Sequence, residues 1–131
     1  MPLAHTGVFG PAPILPLRNR KKDYDARAIA EVLGIPLSTL APILGVDSST
    51  LSRNSATPKI RKRAAELERI LRMLEELYGD LDYAVAWLKT PSTRWSEEGS
   101  LSAIELMAKE PWGMKLVYQT VANLYRGEPE T

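Results

Sequence analysis

The stretch Leu37–Asn54, LSTLAPILGVDSSTLSRN, constrains this chain more than any other. Leu40, Leu44, Val46 and Leu51 stand at the separations at which two short helices touch, and Ala41 is the small residue where they pack closest. Gly45 falls where the backbone must turn through positive φ, which glycine does without a Cβ clash. The pattern predicts a helix-turn-helix. Pro42 is expected in the first turn of the first of these helices, where a missing N–H is tolerated. The second helix is expected from about Ser48 to Ser55 and, in a helix-turn-helix, would lie in a DNA major groove. Its outward residues are Ser48, Ser49, Thr50, Ser52, Arg53 and Asn54. Arginine can take guanine bidentately and asparagine can take adenine, while the hydroxyls suit phosphates or bases. Lys59, Arg61, Lys62 and Arg63 follow and are expected to neutralise phosphates. Against this stands a helical hairpin of the same shape with no DNA contact, because Arg53 is the only formal positive charge on the recognition helix.

The net charge of +1 hides an asymmetry. Up to Arg72 there are 12 Lys/Arg and 6 Asp/Glu; from Met73 onward there are 5 and 10. A basic front and an acidic back suggest two surfaces with different partners, and anionic DNA suits the front.

The rest of the chain is also helical in its periodicity. Ala26, Ile29, Ala30 and Leu33 repeat at three and four residues, with Gly34 as the stop. Thr57 and Pro58 open a long helix with the stripe Ile60, Ala64, Leu67, Ile70 or Leu71, Leu74 and Leu77, ended by Gly79. Asp80 caps the next helix, whose inner face is Leu81, Ala84, Val85 and Leu88, and Thr90-Pro91 ends it. Ser92 to Ser100 reads as a polar loop holding Trp95. Ser102 and Glu105 form a capping box for a short helix through Met107. Pro111 is expected to open the last helix, with the face Met114, Val117, Tyr118, Val121, Leu124 and Tyr125. No segment alternates like a strand, so the expected fold is all-α, with six or seven helices.

Several function classes are disfavoured. There is no cysteine, hence no disulfide frame and no thiolate metal site. No apolar run is long enough for a membrane span, and Pro11, Pro13 and Pro16 interrupt what would be the apolar part of a signal peptide. The expected location is the cytoplasm. The single histidine, His5, lies in a Pro- and Gly-punctuated arm. With no phosphate loop, metal-spaced cluster or nucleophile motif, neither an enzyme nor a bound cofactor is expected.

The C-terminal half carries a second set of elements: Leu77-Tyr-Gly79-Asp80, Ala84-x-x-Trp87-Leu88-x-Thr90-Pro91, Ser102-Ala-Ile-Glu105-Leu106-Met107 and Gly113-x-x-x-Val117. Together these resemble the toxin-binding domain of the Xre/MbcA/ParS-type antitoxins, which follows an Xre-like helix-turn-helix. The resemblance covers roughly Asp25 to Gly127. After the Pro- and Gly-punctuated arm over 1–22, it implies a DNA-binding unit over 23–78 and a toxin-binding unit over 79–131. It also implies a partner, a RES-domain toxin that consumes NAD, together with operator DNA, and autorepression by a homodimer. Trp87, Tyr118, Tyr125, Arg126 and Gly127 would then face the toxin. Read as residues alone, Trp87, Tyr118 and Tyr125 are equally good core anchors, and Arg126 can offset a helix dipole. A stand-alone dimeric repressor and a protein-binding adaptor without DNA contact are the other readings.

Overall fold

The computed structural model describes Leu17, residues 23–53 and residues 57–127. Asn54, His5 and the basic residues Arg18, Arg20, Lys21 and Lys22 lie outside the described residues.

Among the described residues the chain forms seven α-helices and no strand: α1 (Ala26–Leu33), α2 (Leu37–Ile43), α3 (Ser48–Arg53), α4 (Pro58–Tyr78), α5 (Leu81–Lys89), α6 (Ala103–Lys109) and α7 (Gly113–Tyr125). Most of their starts are set by side chains that satisfy free backbone N–H groups. Asp25 accepts from Arg27 and Ala28 at 3.0 and 3.2 Å. Thr57 accepts from Ile60 at 3.3 Å, with Pro58 as the first helical residue. Asp80 accepts from Tyr83 at 2.6 Å. The Ser102–Glu105 capping box closes in both directions, at 2.9 and 3.1 Å. Gly34 and Gly79 end α1 and α4 in the left-handed conformation.

Three local expectations change. Pro42 sits near the end of α2 rather than in its first turn, because Pro36 makes Leu37 the first helical residue. Its ring leaves the carbonyl of Ser38 without a helical donor, and Ser38 is exposed, where solvent can serve that group. Pro111 belongs to the turn before α7, and the helix starts at Gly113, whose N–H donates to Glu110 O at 3.0 Å. Short α6 runs on to Lys109.

One hydrophobic cluster links the helices, from Leu17 to Ala122. The long helix α4 is its spine: one face buries Ile60, Ala64, Leu67, Ile70, Leu71 and Leu74, against which α5 and α7 pack. Leu77, expected to finish that stripe, is 37% exposed. On the other side α2 packs on α6, so the helix-turn-helix is attached to the C-terminal half through its own first helix. Two buried residues were not foreseen. Leu17, assigned from sequence to the arm, is fully buried, and its carbonyl accepts from Asp25 N at 3.0 Å. Trp95, in the polar loop, is 9% exposed and packs edge-on against Trp87, ring centroids 5.9 Å apart. Glu68 on α4 is buried as well, its carboxylate accepting from Tyr24 Oη at 2.7 Å.

Candidate nucleic-acid interface

The helix-turn-helix is built from α2 and α3 around Leu40, Ala41, Leu44 and Leu51, each at most 1% exposed. Val46 is half-buried at their junction. Gly45 turns the chain at φ 77°, and a Cβ there would also press on the Lys59 side chain, 2.9 Å from Cε. The positive φ selects glycine, while the flexible Lys59 end could swing aside.

With Leu51 anchored inward, α3 exposes Ser48, Ser49, Ser52 and Arg53; Thr50 is half-buried. Asp47 organises the start of this helix. Its Oδ1 accepts from Thr50 N at 2.8 Å and from Ser49 Oγ at 2.9 Å. The hydrogen bonds from Thr50, then that from Ser49, hold the Asp47 carboxyl below its ordinary range, and the charge of Arg53 adds to this. The Ser49 and Thr50 hydroxyls are therefore turned toward the cap, leaving Ser48, Ser52 and Arg53 as the outward groups with no cap to serve. Sequence reasoning did not include Asp47, although an aspartate immediately before the helix start is a cap signal.

The basic residues of early α4 divide. Arg61 reaches back toward α1 and pairs with Asp23 at 3.4 Å, both about half exposed. Lys59 and Arg63 instead lean over the turn at Gly45. With Lys62 they line two adjoining grooves that sit between this turn, α4 and the corner between α6 and α7.

Residues 15–75 match the family model of the antitoxin Xre-like helix-turn-helix domain. Over these residues the chain is similar to the antitoxin Xre-like helix-turn-helix. No curated protein matches the chain. The match ends within α4, so the matched stretch takes in α1, α2, α3 and most of the spine helix. No single helix among the described residues is long and apolar enough to cross a membrane.

Beyond the matched stretch, the residues the resemblance assigned to a toxin surface fall into two groups. Trp87 lies on α5, half-buried, with the Arg94 guanidinium 5.2 Å from its ring centroid. It lines a groove of about 400 Å³ with Tyr83, Ala86, Thr90, Pro91 and Ser92. Tyr118, Tyr125, Arg126 and Gly127 are on α7 and its end. Tyr118 and Tyr125 are half-buried against the core. The Tyr125 hydroxyl donates to Glu76 Oε1 at 2.7 Å, and this bond, with burial second, raises its pKa above the ordinary 10. Arg126 and Gly127 are exposed, and Arg126 donates to Asn123 Oδ1 at 2.6 Å. An exposed aromatic pair went unnoticed in the sequence. Tyr78 and Tyr83 are 40% and 52% exposed with ring centroids 4.9 Å apart. The pair flanks the Gly79-Asp80 helix break, a signal that two helix ends meet there.

Proposed function

We propose that this chain is the antitoxin of a toxin–antitoxin pair: it binds operator DNA through α3 as a homodimer, neutralises a RES-domain, NAD-consuming toxin through residues after α4, and represses its own operon in the cytoplasm. The observation that carries this reading is the antitoxin helix-turn-helix over 15–75 with the Ser48, Ser52 and Arg53 face of α3 turned outward. The C-terminal elements around Trp87, Ser102–Glu105 and Gly113 support the toxin-binding part by their resemblance. Trp87, Tyr118, Tyr125, Arg126 and Gly127 are the proposed toxin contacts, and Ser48, Ser49, Thr50, Ser52, Arg53, Asn54, Lys59 and Arg61 the proposed DNA contacts. The chain acts by binding, without chemistry of its own.

Co-expression with the neighbouring reading frame tests the toxin half. The expected result is a product toxic alone, harmless with this chain, and co-purified with it; a harmless neighbour that does not co-purify sinks it. For the DNA half, Arg53→Ala is expected to weaken binding to the upstream duplex by about 1–3 kcal/mol if the guanidinium reads a base, measured by fluorescence anisotropy. No loss would place Arg53 outside the groove. A repressor acting alone would bind the duplex but rescue no neighbour; an adaptor would do the reverse.

A further inference from the structure

The C-terminal half carries cations that the DNA-binding unit alone does not explain. Two grooves, of about 650 and 370 Å³, adjoin one another and share Lys59, Arg63 and Pro111. The larger is bounded by Gly45, Asp47 and Thr50, the turn and first turn of the recognition helix, and on its far wall by Lys109 and Pro111. The smaller adds Lys62 from α4 and Lys115 from α7. Five cations therefore converge from α4 and from the two consecutive helices that follow much later in the chain: Lys59, Lys62 and Arg63 from α4, Lys109 from α6 and Lys115 from α7.

None of the five makes an ion pair with another described residue. The acids in the same grooves are Asp47, Glu66 and Glu110, and Asp47 is spent on the α3 cap. Among the described groove residues the balance is an excess of positive charge. Lys109 and Lys115 are both exposed and sit in a half of the chain that is acidic as a whole. The fold gathers two of its five Lys/Arg onto the edge shared with the DNA-binding unit.

We propose that Lys109 and Lys115 are phosphate contacts, so that the DNA-binding surface runs from α3 across α4 onto the α6–α7 corner. This rests on the reading of the chain as a DNA-binding antitoxin. The physical argument is one of placement. A recognition helix presents its N-terminal end to base edges, and sugar-phosphate strands border the groove it enters. Cations lining a groove beside that end lie along the path of one strand. Affinity for a duplex comes largely from such contacts and the counterions they release. The recognition helix brings one cation of its own, Arg53, so the phosphate term must come from neighbours, and Arg61 is partly engaged with Asp23.

The test uses the full chain, the duplex directly upstream of its gene and an unrelated duplex of equal length, with affinity measured over a range of salt. The double variant K109Q/K115Q is expected to flatten the slope of log affinity against log salt by about one unit per lysine per bound protomer. Its affinity is expected to fall by the same factor on both duplexes, because phosphate contacts carry no sequence information. The double variant K109R/K115R is expected to keep the wild-type slope. Both variants should melt at the wild-type temperature, since these side chains are exposed. An unchanged slope in K109Q/K115Q beside steep wild-type binding overturns the proposal and leaves the antitoxin reading standing. A loss confined to the upstream duplex overturns it as well. Wild-type protein that binds neither duplex overturns both.

Discussion

Asp47 shows how much a single side chain decides at the recognition helix. The helix has six residues, too few to be stable by itself, and its start depends on one carboxylate that takes a backbone N–H and a hydroxyl. Because the folded state holds the Asp47 pKa below its unfolded value, the charged carboxylate stabilises the fold above the ordinary carboxylate range. That contribution is lost as pH falls through the depressed folded value, since the unfolded chain takes up the proton first. Thermal unfolding of wild type and Asp47→Asn should therefore differ at pH 7, with wild type the more stable, and converge on acidification below about 4. A difference that stays constant with pH would mean that the charge does not contribute. Tyr125 has the opposite sign. Its raised pKa means that the bond to Glu76 stabilises the fold at neutral pH and is lost as pH climbs through the folded value above 10. Tyr125→Phe removes this bond and should cost about 0.5–1 kcal/mol, the modest value of a hydrogen bond at a partly exposed site. Chemical denaturation at pH 7 measures it. No change would mean that the link between α7 and α4 rests on packing alone.

At the scale of elements, the α6–α7 corner is the tightest joint. A Cβ on Gly113 would stand 2.5 Å from Leu106 O and 2.9 Å from Met107 Cα. These are backbone atoms of a helix whose own face is buried, so they cannot swing aside. Gly113→Ala should cost about 1–3 kcal/mol, the usual penalty of overpacking, read as a lower denaturant midpoint. A neutral result would show that α7 can slide. This corner also separates what was legible in the sequence from what was not. Asp25, Thr57, Asp80 and the Ser102–Glu105 box act within three residues of themselves, so their helix starts could be read from local chemistry alone. The outward face of α3 was legible for the same reason, from the anchoring of Leu51. Trp95 was not, because its burial depends on Trp87 lying across the loop. Nor was the loss of the Ser49 and Thr50 hydroxyls to the cap, which needs the rotamer of Asp47. Lys109 and Lys115 carry no local signal along the chain and meet Lys59 and Arg63 only once α6 and α7 have packed.

At the scale of the molecule, the division proposed at Tyr78 and Gly79 would be one of surfaces, because the core is common to both sides of it. The cluster passes through that boundary without a gap: α2 rests on α6, and the inner face of α4 rests on α5 and α7. Lys89 Nζ, at the end of α5, donates to the Gly34 carbonyl at the end of α1, 3.2 Å away. Removing the chain after residue 78 would strip cover from Leu67, Ile70, Leu71 and Leu74, each fully buried here. Exposing a side chain of this size costs about 1.5–3 kcal/mol, and four of them approach the whole stability of a typical domain. The intact chain is therefore expected to unfold in one transition, with far-ultraviolet circular dichroism and tryptophan fluorescence coinciding, the latter reporting Trp87, Trp95 and Trp112 in the C-terminal half. A fragment ending at residue 78 should show no cooperative melt. Two separated transitions, or a fragment that melts cooperatively by itself, would mean that the helix-turn-helix holds its shape independently. Binding at the proposed C-terminal surface would then have no rigid route to α3, whereas a single transition would make the packing of α6 on α2 common to both proposed surfaces.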